Sequence, residues 1–409
     1  MPRILEGIRV LDLTRVLAGP WATQMLADFG AEVIKIEMPG RGDDTRHWGP
    51  PWLQDAGSGG GAGRTAAYFL AANRGKKSVT LDFSHPEGQA IAARLASQCD
   101  VVVENFKVGD LRRRGLDYAS LAQSNPRLVY CSITGFGQDG PYADRPGYDF
   151  IIQGLGGLMS ITGERDDLPG GGPQKVGVAV SDLFTGLHAA NAIVAALFHR
   201  ERTGEGQYID LALLDCQVAM LANMNAGYLA SGVPPGRIGN AHQSIVPYQV
   251  FRASDRFFIV AVGNDSQFVR LCEMLGVPEL ARDVRYATNP KRVENREELV
   301  NTLARRFEAA EAAHWLARLE AADVPCGAIN DLAQVFADPQ VRHRGLMVSA
   351  RDAQGGEMRM VANPIRFSRT PVVSDRTPPG LGEHTDEVLG RLAGLDPAGI
   401  GRLRKAGVL

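Results

Sequence analysis

The chain has 409 residues, of which 44% are hydrophobic and 22% charged, and its net charge at neutral pH is −2. That length suffices for two or three domains and for a core that needs no disulfide or metal staple. The near-neutral balance argues against nucleic acid as the main partner, because a phosphate backbone demands a strongly basic face. The opening residues MPRILEGIRVLDL contain no apolar run of signal-peptide length, and no window approaches the ~20 apolar residues of a membrane span. A cytoplasmic protein without a membrane partner is expected. Ile8–Leu13 and Ala31–Glu37 read as strands, with a helix over Pro20–Phe29 between them. Ser78–Asp82, Val101–Val103 and Leu128–Ile133 continue the strand series, and Pro86–Ser97 is helical. Strands that are almost wholly apolar and alternate with helices indicate a parallel sheet covered on both faces, an α/β fold.

Gly57–Gly63 and Gly170–Gly172 read as loops. Neither matches a dinucleotide or phosphate-loop pattern, so neither predicts such a site. Asp182–Arg202 is a strongly apolar helix with a basic end, and Cys216–Leu229 continues as helix. After Gly236 the texture changes. A strand at Phe257–Val262 and helices over Ser266–Leu275 and Arg296–Ala322 predict a smaller domain. A strand at Glu357–Val361 and the loop Gly380–Thr385 predict that the tail returns to the first domain. Cys99, Cys131, Cys216, Cys272 and Cys326 show no CxxC spacing and read as reduced thiols.

The serine-hydrolase elbow, the HExxH helix and a Cys/His cluster are absent from the sequence, and the eight histidines are isolated. Attention therefore falls on carboxylates. Asp182 follows Val176–Val180 and opens the long apolar helix. In that position an aspartate caps the helix and suits its dipole. The same helix amides would keep the carboxylate ionised and could stabilise an oxyanion. One residue can do both. Leu111–Gly115 (LRRRG), Asn73–Lys77 (NRGKK) and Gly40–Arg46 (GRGDDTR) are cationic. Each alone fits a solvated face, but three in one α/β half predict a phosphorylated ligand gripped by arginine.

The motifs GIRVLDLTRVLAGPWATQMLADFGAEVIKIE, GRGDDTR, NRGKKSVTLD, VENF, SITGFGQDGPY, GYDFIIQGLGGLMSITG, VGVAVSDLFTGLHAA, VPCGAIN and LGEHTDEVL occur in this order. Together they resemble the class III coenzyme A transferases, the family of formyl-CoA and carnitine CoA-transferases, from about Leu5 to Leu409. GNAHQSIVPYQVFRASD, AVGNDSQFVRLC and NPKRVENREEL are most similar to the branch that moves coenzyme A between succinate and dicarboxylates such as glutarate or hydroxymethylglutarate. The resemblance implies a Rossmann-like large domain from residues 1–205 and 328–409, a linker helix over 206–227 and a small α+β domain over 228–327. It also implies an interlocked, ring-like homodimer. Acyl-CoA and small carboxylic acids would be substrates, with no tightly bound cofactor and no metal.

Carried over by motif, the catalytic aspartate falls on Asp182, passing through an aspartyl mixed anhydride and an aspartyl-CoA thioester. Coenzyme contacts fall on Val16, Leu17, Ala18, Asn73, Arg74, Lys76, Asn105, Phe106 and Arg113, and on Thr134, Gly135, Phe136 and Gly137, with Arg114 as a helper. A moving loop over the active site falls on Gly239, Asn240, His242 and Gln243. A dicarboxylate needs a cation for its distal end, since a buried unpaired charge is costly. Arg15 is the candidate and His242 the second. The formyl-CoA branch has Gln where this chain has Leu17, Arg where it has Met38, and a longer glycine run at GNAHQ, which argues against formate or oxalate. Related acyl-CoA racemases resemble GHD where this chain has Gly147-Tyr148-Asp149. Tyrosine, with an ordinary pKa of about 10, is a poor second acid–base group. A racemase or epimerase and a non-catalytic CoA-binding protein are the alternatives.

Overall fold

The computed structural model describes residues 3–53, 65–351 and 356–409, so the Gly57–Gly63 stretch lies outside the described residues. The chain forms two compact units, one of residues 1–158, 176–226 and 339–409, the other of residues 159–175 and 227–338.

The first unit is built on six parallel strands: β1 (Arg9–Asp12), β2 (Glu32–Glu37), β3 (Lys77–Thr80), β4 (Val101–Glu104), β5 (Val129–Thr134) and β6 (Tyr208–Ala212). Their order is β3-β2-β1-β4-β5-β6, so the winding reverses between β1 and β4. Both faces of the sheet are covered, which is why the strands read as apolar runs. Leu11, Ile34, Val79, Val102 and Tyr130 enter one core. Their neighbours Val10, Val33, Val101, Val103 and Cys131 enter the other. β6 lies within 206–227, which the resemblance makes a linker helix. Its alternating YIDLA pairs with the open edge of β5, and the helix starts only at Leu213.

The helix Val180–Thr203 lays Ala189, Ile193, Ala196 and Leu197 into the second core. By length and composition it could also cross a membrane, but that buried stripe is a core contact. At Gly186 an added Cβ would stand 2.7 Å from Ala18 O, so the helix seats directly on Ala18–Asp28. It begins two residues before the expected start and ends at Gly204, in the left-handed conformation that suits glycine there. The antiparallel pair Met347–Arg351 and Glu357–Val361 completes this unit.

Beneath the loop after β1 lies a buried ion cluster. Asp12 pairs with Lys76 at 3.0 Å, Lys35 with Asp43 at 2.9 Å, and Glu37 with Arg46 at 2.7 Å. Lys35 also donates to Thr14 O at 2.8 Å, tying the cluster to the loop above it. Burial opposes ionisation of Asp12, Asp43 and Glu37, but the facing cations and hydrogen bonds outweigh it and hold all three below the usual carboxylate range.

The second unit carries a three-stranded antiparallel sheet of Tyr248–Arg252, Phe257–Ala261 and Cys326–Ala328. Helices Asp265–Met274, Arg296–Phe307 and Ala312–Ala321 pack on it around Phe258, Phe268, Leu299 and Phe307. Residues 159–175 join this unit through contacts such as Arg165 with Glu297 at 2.8 Å.

Candidate active site

In an open parallel sheet, ligands bind beyond the carboxyl ends of the strands where the winding reverses. A cleft of about 240 Å³ lies there, in the first unit. Its walls are the loop Arg15–Ala18 after β1, Asn105–Val108 after β4, Thr134 and Gly135 after β5, and residues 143–149. The loops after β1 and β4 are locked across the reversal point. Arg15 N donates to Asn105 Oδ1 at 2.9 Å, and Asn105 Nδ2 donates to Arg15 O at 2.8 Å. Val16 has a φ of +71°, a strained conformation for a β-branched residue, and its amide donates to Asp43 Oδ1 at 3.3 Å.

Asp182 lines this cleft, half-buried, as the third residue of the long helix. It does not cap the helix as the sequence suggested; the cap position is Ala179, which has no side-chain bond to give. Nor do the helix amides hold the Asp182 carboxylate ionised. Asp149 Oδ1 accepts from Ser181 N at 2.8 Å and from Asp182 N at 3.3 Å. The Asp182 side chain has no hydrogen-bond partner among the described residues. Burial, and after it the Asp149 charge, push Asp182 up to about 7.

What brings Asp149 here is a backbone contact. A Cβ on Gly135 would fall 2.4 Å from the Gly147 Cα, and one on Gly147 would fall 2.2 Å from the Gly135 Cα. Two glycines let the 143–149 segment lie directly on the end of β5. From there the helix Asp149–Leu155 aims its first carboxylate at the start of the long helix.

Arg15, Val16, Leu17, Ala18, Asn105, Phe106, Thr134 and Gly135 thus gather with Asp182, as the motifs suggested. Phe136 instead packs edge-on against Tyr142 at 5.6 Å, and Gly137 N is held by Thr134 Oγ1 at 2.9 Å. Asn73, Arg74 and Lys76 of NRGKK do not line the cleft. Arg74 is buried against Asp28, with its Nη1 on Val361 O, and Lys76 is buried against Asp12 and Pro20 O. Asn73 accepts from Lys76 at 2.9 Å and donates to Phe69 O. Burial in an apolar surrounding demands these partners, which the sequence could not show. Arg113 is exposed and pairs with Asp110 outside the cleft wall.

The cations that do line the cleft are Arg15, Lys107 and Arg145. Arg15 makes a long contact to Asp44 at 3.4 Å and stands over the Phe106 ring at 5.6 Å. Arg145 stacks on Tyr142 at 3.9 Å. Lys107, Arg145 and Asp149 were missed as site residues. The available signals were the residue after VENF and the aspartate of Gly-Tyr-Asp. A neighbouring cavity of about 160 Å³ shares Arg15, Asp44 and Phe106, and adds Met38, Leu81, Phe83, Arg41 and Arg114. The loop Gly239–Gln243 belongs to the second unit. There Gly239 N donates to Gly163 O, Asn240 is exposed, and His242 lies 5.3 Å from the Tyr248 ring. Arg296 holds the His242 and Gln243 carbonyls at 2.9 and 2.8 Å.

Comparison with known proteins places these features in a family. The model of CoA-transferase family III matches residues 5–385. The succinate–glutarate CoA-transferase of Agrobacterium fabrum is 53% identical over 393 residues, covering 95% of either chain. The succinyl-CoA:glutarate CoA-transferase of Homo sapiens is 44% identical over 405 residues, covering 99% of this chain and 90% of the human one. A crystal structure of a CAIB/BAIF family protein from Brucella suis superposes with a TM-score of 0.84 at 50% identity, covering 96% of this chain and all of that one. The chain belongs to CoA-transferase family III and is a transferase.

Proposed function

We propose that this enzyme moves coenzyme A from succinyl-CoA to a dicarboxylic acid, glutarate first, with Asp182 as the covalent nucleophile. The observation that carries the mechanism is the bare, half-buried Asp182 carboxylate on the wall of the switch-point cleft. An oxygen of Asp182 attacks the thioester carbonyl carbon, and the C–S bond breaks to give a mixed anhydride and the CoA thiolate. The thiolate then attacks the Asp182 acyl carbon, releasing the donor acid and leaving an aspartyl-CoA thioester. The acceptor carboxylate reverses the two steps. Splitting the exchange this way replaces one difficult step with easier ones. Holding the thiolate beside the anhydride gives an effective molarity on the order of 10⁵ M or more.

The coenzyme enters over Val16–Ala18 and Asn105. Lys107 and Arg145 meet its phosphates or the acid's carboxylate. Its purine end finds the adjoining cavity, whose apolar walls Met38, Leu81 and Phe83 are flanked by the cations Arg41 and Arg114. Arg15, on the wall of the same cleft, is the first candidate to receive the distal carboxylate of a dicarboxylate. The exposed Leu187, Val194 and Phe198 on the long helix, with Phe150 and Leu155, support a homodimer that covers them, and its interlocked form rests on the family resemblance. Sedimentation at falling concentration is then expected to show no folded monomer.

A panel of acids assayed against succinyl-CoA, with the CoA products read by mass spectrometry, tests the substrate class. Glutarate and its near relatives are expected to be converted best. Transfer to monocarboxylates alone would overturn the dicarboxylate reading.

A further inference from the structure

The amides of a helix's first turn have no partner within the helix and attract any nearby anion. In the helix Val180–Thr203 the natural claimants are Asp182 itself and an oxyanion formed in the cleft. Asp149 forestalls both. Its Oδ1 takes Ser181 N at 2.8 Å and Asp182 N at 3.3 Å, and its Oδ2 accepts from Gln153 Nε2 at 2.7 Å. Gln153 is itself buried, and its Oε1 accepts from Val176 N at 2.9 Å. Asp149 therefore cannot turn away without breaking a buried chain of hydrogen bonds.

We propose that Asp149 is a positioning residue for the transfer reaction: it occupies the amides at the start of the helix and so leaves Asp182 standing in the cleft as a bare carboxylate. This rests on the reading of Asp182 as nucleophile. A carboxylate relieved of hydrogen bonds and set beside a second negative charge is more basic and more nucleophilic than one held by helix amides. The gain is also directional. When an Asp182 oxygen bonds to the thioester carbon and the C–S bond breaks, the negative charge leaves Asp182 for sulfur. The repulsion from Asp149 is felt in the resting enzyme and relieved in the neutral acyl intermediate, which favours the forward step.

The groups facing Asp182 support this assignment. The helix Asp149–Leu155 presents Asp149, and the cleft wall presents Arg15, Asp44, Lys107 and Arg145. The helix Ala67–Asn73 presents Tyr68, whose ionisation is opposed by burial and then by the Asp182 and Asp149 charges. The helix Ala18–Asp28 contributes Ala18 and Trp21 at its contact, and the helix Leu213–Met220 contributes Leu213, with Asp215 exposed. β5 and β6 contribute no charge to the cleft wall. After burial, it is the Asp149 charge that opposes ionisation of Asp182.

The test is Asp149→Asn, which keeps an oxygen for the helix amides and removes the charge, assayed beside Asp149→Ala and Asp182→Asn. In Asp149→Asn the acid limb of kcat/KM is expected to move to lower pH by about one unit, because removing a like charge eases ionisation of Asp182. Above the limb kcat is expected to fall by about tenfold or more, while the acyl-CoA KM changes by less than about threefold. Asp149→Ala, which also frees the amides for Asp182, is expected to lose up to about 100-fold. Should neither variant fold, NMR of labelled aspartate carboxyls in the wild-type protein decides. A carboxyl titrating near 7 and missing from Asp182→Asn is expected, whereas titration of Asp182 near its ordinary 3.8 would overturn the proposal. An unmoved limb and unchanged kcat in Asp149→Asn, with Asp182→Asn inactive, would overturn the role of Asp149 alone. An active Asp182→Asn would overturn the nucleophile on which it rests.

Discussion

Two carboxylate clusters sit within one unit of this protein and are built on opposite rules. Under the loop after β1, Asp12, Asp43 and Glu37 each face a buried cation and accept hydrogen bonds, and each is held below its usual range. At the start of the long helix, Asp149 and Asp182 stand together, and among the described residues Asp182 has no hydrogen-bond or ion-pair partner. The first arrangement fixes a backbone; its Lys35 and Asp43 hold Thr14 and Val16 in place. The second keeps a reactive group unsatisfied. The contrast shows that burial of a carboxylate does not mark a site by itself; what marks it is burial without compensation.

The largest expected effect separates the two clusters by function. Asp182→Ala should lower transfer on the order of 10³-fold or more, as expected for loss of a covalent nucleophile, and leave circular dichroism native. The fold should survive because the lost side chain makes no hydrogen bond. Asp12→Ala should do the reverse. It strands Lys76 without its anion, while Lys35 keeps Asp43, and should cost about 3–5 kcal/mol in urea unfolding, the range for breaking a buried pair. A mild effect there would mean that water or a shifted neighbour satisfies Lys76.

Acid should pull the clusters in opposite directions. The folded value of Asp12 lies below its ordinary 3.8. Its contribution to stability is therefore complete above about that pH and is lost as pH falls through the folded value. Asp182 is raised to about 7, so its ionised form is disfavoured in the folded state, and raising the pH from 3.8 through 7 costs stability. Asp182→Asn should accordingly raise Tm at pH 8, raise it less at pH 5, and not at all below the ordinary value. Activity follows the same group with the other sign: attack needs the carboxylate, so kcat/KM should rise through about pH 7 in the wild type. A Tm gain independent of pH would show that Asp182→Asn acts through packing instead.

The smallest effects distinguish cations in the cleft from those outside it. Lys107→Ala should raise the acyl-CoA KM about 10- to 100-fold, as for loss of a charged hydrogen bond, and make it less sensitive to salt. Arg113→Ala should change KM by less than about threefold, because Arg113 already faces Asp110 on the surface. Equal effects from the two would place the phosphate grip at Arg113 after all.

Local pattern in the sequence determined five of the six parallel strands, the helices after β1 and β3 and the long apolar helix, while the family resemblance supplied the gathering of the TRVLAGP, VENF and SITGF segments around Asp182. Period and propensity act over a few residues, and the motifs fall at strand ends where an open sheet collects its ligands. Two features were decided only in three dimensions. Lys76 and Arg74 look like ligand cations in NRGKK until the fold brings Asp12 and Asp28 against them; the first pair is separated by 64 residues. Asp149 looks like part of an unremarkable Gly-Tyr-Asp until Gly147 meets Gly135 backbone to backbone and turns the carboxylate onto the Ser181 amide. Charge compensation and carboxylate pairing are properties of distances between remote residues, and a linear sequence carries no record of which remote residues touch.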